Sequence, residues 1–267
     1  MKAQQETARV VRNVRITERL WWCTYESPGI AATARAGQFA HALCGDPGSY
    51  DPMLRRPLSF SRVESEQGRI AFLIDVVGRG TDWLVRQDPG TEIDLLGPLG
   101  TWFEWQPNAE RALFVGGGIG LAPLLVMADR AAANGVESTM LCGARDAAGI
   151  TPADWIPEST TYLTATDDGS QGHAGVITDL VPDWWDWSQQ VFVCGPTPML
   201  EAMSRLGARF GLERGQRPVF ASLEARMGCA VGVCYSCVVR TTHGVKRVCR
   251  DGPVFRQDTL SWEWTHD

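Results

Sequence analysis

Four cysteines close to the C-terminal end restrict what this chain can fold into more than any other feature. Cys229, Cys234, Cys237 and Cys249 follow the spacing C-x4-C-x2-C-x11-C, while the other four cysteines are scattered. Clustered thiols in a reducing compartment are typical of metal-binding or catalytic sites rather than of disulfides. We therefore expect the C-terminal segment to fold around a metal centre.

The cysteine spacing favours an iron–sulfur cluster as that centre. Four thiolates complete either an all-thiolate zinc site or an iron–sulfur cluster, and the first three match the C-x4-C-x2-C pattern of plant-type 2Fe–2S sites. Gly228 and Gly232 suit a loop whose backbone curls closely round inorganic sulfides. Zinc sites favour two separated C-x2-C pairs, and this segment has one, so zinc and unligated thiols stand as the alternatives.

The sequence pattern changes twice along the chain, once after residue 106 and once after residue 222, where the cysteine-rich segment begins. Residues 1–106 contain short strand-like stretches, such as the alternating RVVRNVRI with Val10 and Val14, separated by turn residues; this predicts an antiparallel β-barrel. Residues 107–222 alternate strands with helices, which predicts a parallel sheet covered on both faces. Residues 223–267 follow neither pattern. The expected fold is a multidomain α+β one: a β-barrel, an α/β domain and a small cysteine-rich end.

A glycine-rich turn opens the second region. FVGGGIGLAP places Gly116, Gly117, Gly118 and Gly120 between a strand and a helix, where backbone can approach a pyrophosphate and free N–H groups face it. Tight strand-to-helix turns also use glycine for purely structural reasons. A second strand-end motif downstream, VFVCGPTPM, favours the nucleotide interpretation. Its Cys194 either approaches a nicotinamide or is a buried structural thiol.

Two motifs in the first region suit a bound flavin nucleotide. In LRRPLSFSRV, Arg56 can hold a phosphate and Ser59 can donate a hydrogen bond to a ring nitrogen. In VGRGTDW, Gly78, Gly80 and Thr81 suit a turn. Taken alone, each motif is better explained as an ordinary strand edge or turn.

Composition excludes several classes of partner. The net charge is −6 with both signs interspersed, which argues against nucleic-acid binding. No apolar run approaches the length of about 18 residues that a membrane span needs. The first 20 residues carry no signal-peptide pattern, so a cytoplasmic location is expected. The tryptophan-rich stretches DWWDW at 183–187 and WEW at 262–264 either form a partner surface or pack against the chain itself.

Taken in order, these motifs resemble those of the electron-transfer subunits of NAD-dependent dihydroorotate dehydrogenases, a family of the ferredoxin–NADP reductase superfamily. The resemblance runs nearly end to end, through RRPLS, LID at 73–75, IDLLGPLG, GGGIGLAPLL, VFVCGPTPML and SLEARMGCAVGVCYSC. It implies FAD contacts at Arg56, Pro57, Leu58, Ser59, Leu73, Ile74, Asp75, Gly80 and Thr81; nucleotide contacts at Gly116, Gly117, Gly118, Gly120, Cys194, Gly195 and Pro196; and cluster ligands at Cys229, Cys234, Cys237 and Cys249.

The resemblance also implies a redox function with FAD, a 2Fe–2S cluster and NAD as cofactors. Hydride would pass between nicotinamide C4 and flavin N5, with Ser59 and Cys194 nearest the reaction, and single electrons would pass through the cluster. The partner would be an FMN-containing catalytic subunit, joined in a heterotetramer, that oxidises dihydroorotate in pyrimidine biosynthesis. Arg145, in LCGARD, is placed to meet a 2′-phosphate or a local carboxylate such as Asp146; NAD is favoured over NADP.

Two other functions remain open from the sequence. One is a flavin and iron–sulfur NAD(P)H reductase subunit of another complex, of the ferredoxin:NAD(P)H oxidoreductase, hydrogenase or sulfide dehydrogenase type. The other is a non-enzymatic α/β protein that binds zinc. A visible spectrum separates the second from the rest, since zinc gives no flavin or cluster bands.

Overall fold

An antiparallel sheet of seven strands forms the N-terminal part of the computed structural model, which describes residues 3–46, 48–210 and 217–262. The strands are β1 Gln4–Arg15, β2 Leu20–Glu26, β3 Phe39–Ala42, β4 Arg56–Ser59, β5 Arg62–Glu64, β6 Arg69–Asp75 and β7 Glu92–Leu99, and the helices are α1 Pro28–Ala31 and α2 Arg79–Val85. The strands lie in the order β4-β3-β7-β1-β2-β6-β5.

The two ends of that order meet, and the sheet closes into a barrel. Only Phe60 and Ser61 separate β4 from β5 along the chain. The Phe60 N–H donates to the Gln38 carbonyl at 3.2 Å, and the Ser61 N–H donates to the Ala71 carbonyl at 2.8 Å. The continuous stretch from β4 to β5 therefore pairs with β3 at one end and with β6 at the other, which confirms the predicted antiparallel barrel.

A β-bulge lets β1 contribute to two cores. The sequence alternation placed Val10 and Val14 on one face, but the pairing with β2 shifts by one residue between Val10 and Arg12. Because successive residues of a strand point to opposite faces, one extra residue inverts every face beyond it. Val10 consequently packs inside the barrel, and Val14 packs against an apolar cluster shared with the next domain.

The second sheet is parallel over the strands that precede the cysteine segment. They are β8 Arg111–Gly117, β9 Glu137–Ala144, β10 Thr160–Thr166, β11 His173–Ala174, β12 Gln190–Cys194 and β13 Val219–Ser222, with helices α3 Ala122–Ala133, α4 Val181–Trp185 and α5 Thr197–Arg209. In space they follow the order β11-β10-β9-β8-β12-β13. The strand order reverses between β8 and β12, which is where open α/β sheets bind ligands.

Apolar residues cover both faces of this sheet, as the continuous apolar strands predict. On one face Phe114 and Phe192 pack against α3 through Leu124. On the other face Val115 and Val193 belong to a cluster with residues of α4 and α5. The predicted α/β domain is confirmed.

The C-terminal segment is built from β14 Val238–Thr241, β15 Gly244–Arg247, α6 Val248–Asp251 and β16 Val254–Arg256. The first two strands form an antiparallel hairpin, and β16 pairs antiparallel with β13 at the edge of the second sheet. The segment thus returns a strand to the α/β domain. Domain boundaries at residues 106 and 222 stay a prediction.

Direct contacts hold the three parts together. The rings of Trp22 in the barrel and Trp155 in the α/β domain lie 4.6 Å apart between centroids. The Thr101 N–H, just beyond the barrel, donates to the Gly252 carbonyl of the cysteine segment at 2.6 Å. A Cβ added to Gly100 would lie 2.5 Å from Pro253, so these backbones pack without room for a side chain. The sites carried by the three parts are therefore fixed relative to one another.

Two expectations about external contacts can be compared with this fold. Among the residues described, no helix combines the length and apolar character needed to cross a membrane. In the DWWDW stretch, Trp185 is buried and stacks on Phe210, while Trp184 and Trp187 pack edge to face. That stretch packs against its own chain, and residues 263–267 of the WEW end lie outside the described residues.

We predict that Phe192→Ala lowers the free energy of unfolding by about 3–5 kcal/mol, the usual cost of removing a buried aromatic ring. Phe192 is fully buried and its ring neighbours those of Phe114, Trp105 and Phe220. Urea unfolding of the two proteins measures the difference. Val245→Ala, on an exposed hairpin position, should change stability by less than about 0.5 kcal/mol. A loss below about 1 kcal/mol at Phe192 would contradict this packing.

Candidate functional site

The loop from Cys229 to Cys237 is shaped by residues in the left-handed region of backbone space. Ala230 and Tyr235 both have φ of 57°, and Gly232 has φ of 83°. Such residues turn successive backbone N–H groups towards one side and form concave sites for anionic groups. Burial raises the pKa of the Cys229 thiol, but the backbone N–H groups of Cys234, Val231 and Val233 lower it by more. A loop with amides directed at its own sulfurs is suited to an iron–sulfur cluster.

The four thiols come together as two pairs. Cys229 and Cys234 lie at the rim of the loop, where each thiol shifts the pKa of the other, and they form what we call the outer pair. Cys237 and Cys249 are both buried and form the inner pair. Within the described ranges, no three His, Cys, Asp or Glu side chains are grouped to hold a single metal ion. Four cysteines in two pairs match the ligand set of a 2Fe–2S cluster.

Helix α6 carries the fourth cysteine into place. The Val248 N–H donates to the Cys237 carbonyl at 2.8 Å, and the Cys249 N–H lies 3.5 Å from the Cys237 sulfur. Arg247, immediately before the helix, donates to the Gly232 carbonyl at 3.0 Å and pairs with Asp251. These contacts bridge the 11 residues that separate the last two cysteines.

The outer and inner pairs differ in proton affinity. The Ser236 hydroxyl and backbone N–H, followed by the Cys229 thiol, lower the pKa of Cys234 to about 6. Burial, followed by the neighbouring Cys237 thiol, raises the pKa of Cys249 to about 12. Because metal binding requires deprotonated thiols, the lowered pKa of Cys234 favours ligation and the raised pKa of Cys249 opposes it.

The glycine turn lies against the second strand-end motif. β8 and β12 are neighbours, with Gly116 opposite Cys194. A Cβ on Gly120 would collide with the Cys194 carbonyl, and one on Gly117 would lie 2.7 Å from the sulfur of Met199. Gly120 is required by the close approach of two backbone segments, and Gly117 by the side chains of Met199 and Pro196. The structure thus brings the predicted nucleotide residues together at the carboxyl ends of adjacent strands.

Gly118 serves a different purpose in the same turn. Its φ is +55°, and no atom lies within 4 Å of the position that a Cβ would take. The Cβ position thus faces open space above the strand ends. A 3-10 turn over Gly118–Leu121 runs directly into α3, so the N-terminal end of this continuous helical segment lies at the glycine turn. This arrangement can accommodate a nucleotide phosphate.

The barrel presents Arg56 and Ser59 near helix α2. A Cβ on Gly80 would lie 2.8 Å from Nε of Arg56, so the guanidinium lies over the start of α2. Leu58 points into the barrel core, and Pro57 and Ser59 alternate with it on the outer face. Arg56 and Gly80 therefore lie together at the start of α2, and Ser59 lies at the end of the same short strand.

Other predicted FAD contacts have structural partners of their own. The Thr81 hydroxyl accepts the N–H groups of Val77 and Gly78 at 3.1 and 3.3 Å. Ile74 is buried in the barrel core, and Asp75 pairs with Arg19 at 2.8 Å. The Leu73 N–H donates to the Ser61 hydroxyl at 2.9 Å. A role for these residues in FAD binding stays a prediction. They would contact FAD through backbone groups that have no partner named above.

Cys194 is a buried thiol at the end of β12. Burial, with a contribution from the charge of Glu224, raises the pKa of Cys194 well above its usual value, so the thiol is neutral. Gly195 lies against Met199, and Pro196 precedes α5. A catalytic role of Cys194 stays a prediction.

Two residues near these sites escaped the sequence reasoning. Glu224 is exposed within a cavity of about 410 Å³, lined also by Thr197 and Trp262, between α5 and the cysteine segment. The Ser236 hydroxyl lies 3.2 Å from the Cys234 sulfur. In the sequence, Glu224 is recognisable as a carboxylate just after the last parallel strand, and Ser236 as a hydroxyl residue between the two cysteines of C-x2-C.

Comparison with known proteins places the chain among redox proteins. Residues 224–261 match the model of the iron-sulfur cluster binding domain of dihydroorotate dehydrogenase B. The dihydroorotate dehydrogenase B (NAD(+)) electron transfer subunit of Geobacillus thermodenitrificans is 40% identical, covering 94% of this chain and 96% of its own. The protein of the same name from Desulforamulus reducens is 36% identical, covering 96% and 98%.

Solved structures show the same architecture. An NADH-dependent reduced ferredoxin-NADP oxidoreductase, described in connection with flavin-based electron bifurcation, superposes with a TM-score of 0.82 at 31% identity, over 97% of this chain and 91% of the other. A ferredoxin reductase of carbazole 1,9a-dioxygenase superposes with a TM-score of 0.69 at 22% identity, over 82% and 69%. The second likeness shows the fold alone.

We predict that Gly120→Ala destabilises the protein by about 1–3 kcal/mol, the usual cost of overpacking, because its Cβ meets the backbone carbonyl of Cys194. Gly78→Ala is the matched control: its backbone is extended and no atom lies within 4 Å of the added Cβ. That variant should be neutral or slightly stabilised, by up to about 1 kcal/mol. Equal stability of the two variants in urea unfolding would show that the two turns are not in contact.

Proposed function

Because the chain belongs to the family of electron-transfer subunits of dihydroorotate dehydrogenase B, we propose that it passes electrons between NAD and a partner subunit that oxidises dihydroorotate. The observation that carries this proposal is that backbone contacts bring Cys249 to the loop of the other three C-terminal cysteines, in a chain that also has a nucleotide-type strand end. The process served is pyrimidine biosynthesis. We place it in the cytoplasm, where thiols stay reduced.

The barrel would hold FAD through residues that are already oriented. Arg56 lies over the N-terminus of α2 and is suited to pair with a pyrophosphate. Ser59, on the outer face of β4, would donate a hydrogen bond to the flavin ring. Bound FAD supplies the conversion between the two-electron chemistry of NAD and the one-electron chemistry of an iron–sulfur cluster.

The strand ends of the second sheet would hold NAD. The open space at Gly118 would receive the phosphates. Close packing of Gly120 against the Cys194 carbonyl keeps the glycine turn after β8 adjacent to the VFVCGPTPM motif at the end of β12. This chain's contribution is alignment, which lowers the entropic cost of bringing two reacting groups together. The neutral thiol of Cys194 keeps a charge away from the reacting groups.

NAD is favoured over NADP. The two relatives at 36–40% identity both carry NAD(+) in their names. Arg145 is exposed just beyond β9, and no described ion pair joins it to Asp146, whose carboxylate accepts the Gly149 N–H at 3.2 Å. One free arginine without a second anchor is a weak site for a 2′-phosphate.

The four cysteines would hold the 2Fe–2S cluster at the surface that meets the partner. Cys234 is exposed, and the apolar side chains of Val231, Val233 and Tyr235 around it are 42%, 71% and 59% exposed. Such a patch on a monomer is typical of a protein–protein contact. The partner proposed from the family is an FMN-containing catalytic subunit, joined in a heterotetramer.

A reductase module for another redox complex is the competing assignment. The structural likeness to the NADH-dependent reduced ferredoxin-NADP oxidoreductase favours it, at a TM-score of 0.82. The dihydroorotate assignment is preferred because relatives of that name are more similar, at 36–40% against 31% identity. Oxidation of dihydroorotate by the complex copurified from its native source distinguishes the two.

We predict that Cys234→Ser leaves flavin reduction by NADH largely intact and reduces electron transfer to the partner to background, because one substitution disables the cluster and leaves the other two sites in place. Stopped-flow absorbance of the flavin measures the first reaction, and dihydroorotate-dependent reduction of NAD⁺ by the complex measures the second. Cys44→Ala, in the barrel core, should retain both reactions. Equal loss of the two reactions in Cys234→Ser would contradict the proposed division of roles.

A further inference from the structure

Ser236 makes a contact with a cluster cysteine that none of the roles above uses. It lies between Cys234 and Cys237 in the chain, and its hydroxyl oxygen is 3.2 Å from the sulfur of Cys234. The same oxygen accepts the backbone N–H of Gly228 at 3.1 Å. The hydroxyl is thus held from one side by the backbone and directed at the sulfur on the other.

Which atom donates in the contact between Ser236 and Cys234 follows from which groups carry a proton. A serine hydroxyl has one proton to donate and two lone pairs to accept with. One lone pair is taken by Gly228, so the proton can go to the Cys234 sulfur or to the Arg226 carbonyl, 3.4 Å away. An O–H···O bond at 3.4 Å is well beyond the usual length of about 2.7–2.8 Å. A metal-bound thiolate has no proton of its own and can only accept.

We propose that Ser236 is a positioning residue that donates a hydrogen bond to the sulfur of Cys234 and thereby raises the reduction potential of the cluster. The proposal rests on the proposed function, because it requires a 2Fe–2S cluster on the four cysteines. Reduction adds one electron to the cluster and moves no proton, and Ser236 keeps its hydroxyl hydrogen throughout. A donor aimed at sulfur stabilises the added negative charge, so the reduced state gains more than the oxidised one.

The bond is confined to the outer pair of thiols. The inner pair is buried and receives a longer contact, from the Cys249 N–H to the Cys237 sulfur at 3.5 Å. Cys234 and Ser236 are exposed, on the same rim as Val233 and Tyr235. Ser236 therefore acts on the edge of the cluster that the proposed partner would cover, and partner binding would shield this bond from water. Shielding strengthens an electrostatic hydrogen bond.

The test compares Ser236→Ala with Ser236→Thr in the full chain loaded with FAD and cluster. Redox titration followed by the EPR signal of the reduced cluster gives the midpoint potential. We expect the alanine variant to lose about three- to tenfold in the one-electron equilibrium constant for reduction, a fall of about 30–60 mV since tenfold is 59 mV. The threonine variant keeps a hydroxyl and should retain the wild-type potential. Thr241→Ala is the matched control, because that hydroxyl bonds only to backbone of the β14–β15 hairpin.

The outcomes separate this inference from the function on which it rests. A wild-type protein without a 2Fe–2S EPR signal overturns both. A normal signal in all variants with the same potential in Ser236→Ala and wild type overturns the role of Ser236 alone. A fall in Thr241→Ala equal to that in Ser236→Ala also overturns it, since the effect would then not depend on the sulfur contact.

Ser236→Ala also removes the acceptor of the Gly228 N–H, and the variant can lose its cluster for that reason. A second readout therefore uses the wild-type and threonine proteins. After brief transfer into D2O, pulsed EPR of the reduced cluster should detect an exchangeable deuteron close to the cluster in both. Absence of that deuteron from the wild-type spectrum would contradict a hydroxyl directed at the sulfur.

Discussion

The contact between the two halves of the cysteine segment is the interaction on which the rest of this structure depends. The Val248 N–H to Cys237 carbonyl bond, with Arg247 bonded to the Gly232 carbonyl, brings Cys249 to a loop 11 residues earlier. Without it the four thiols could not meet, because like-charged thiolates repel and burial opposes their ionisation. Metal binding offsets that cost, so the segment and its cluster are coupled in folding.

The rest of the fold fixes this segment against the two nucleotide sites. β16 pairs with β13, and Gly252 accepts a hydrogen bond from Thr101 beyond the barrel. Both contacts are made by backbone, so they are insensitive to side-chain motion. The barrel supplies Arg56 and Ser59, the reversal of strand order supplies the glycine turn, and Gly252 and β16 join the cysteine segment to both domains. One rigid chain can thus hold three redox groups in sequence.

Much of this was accessible from the sequence, where local chemistry decides the outcome. The glycines at 116–120 and the cysteine spacing predicted their sites because each motif needs a particular backbone path. Long-range pairing was not accessible: the bulge at Val11, the return of β16 to the second sheet, and the Ser236 contact depend on distant segments. The Thr81 hydroxyl, expected near FAD, is used by its own turn. Local patterns predicted the sites, and tertiary pairing determined which atoms remain free for a ligand.

The metal, sulfide and flavin content of anaerobically purified protein tests the central claim most directly. If the two thiol pairs hold a 2Fe–2S cluster in the chain that binds FAD, each chain should contain about two irons and two inorganic sulfides beside one FAD. Replacing Cys249 by serine should remove the iron and sulfide and leave the flavin. Stoichiometric zinc in place of iron, or iron in a protein without flavin, would contradict the account.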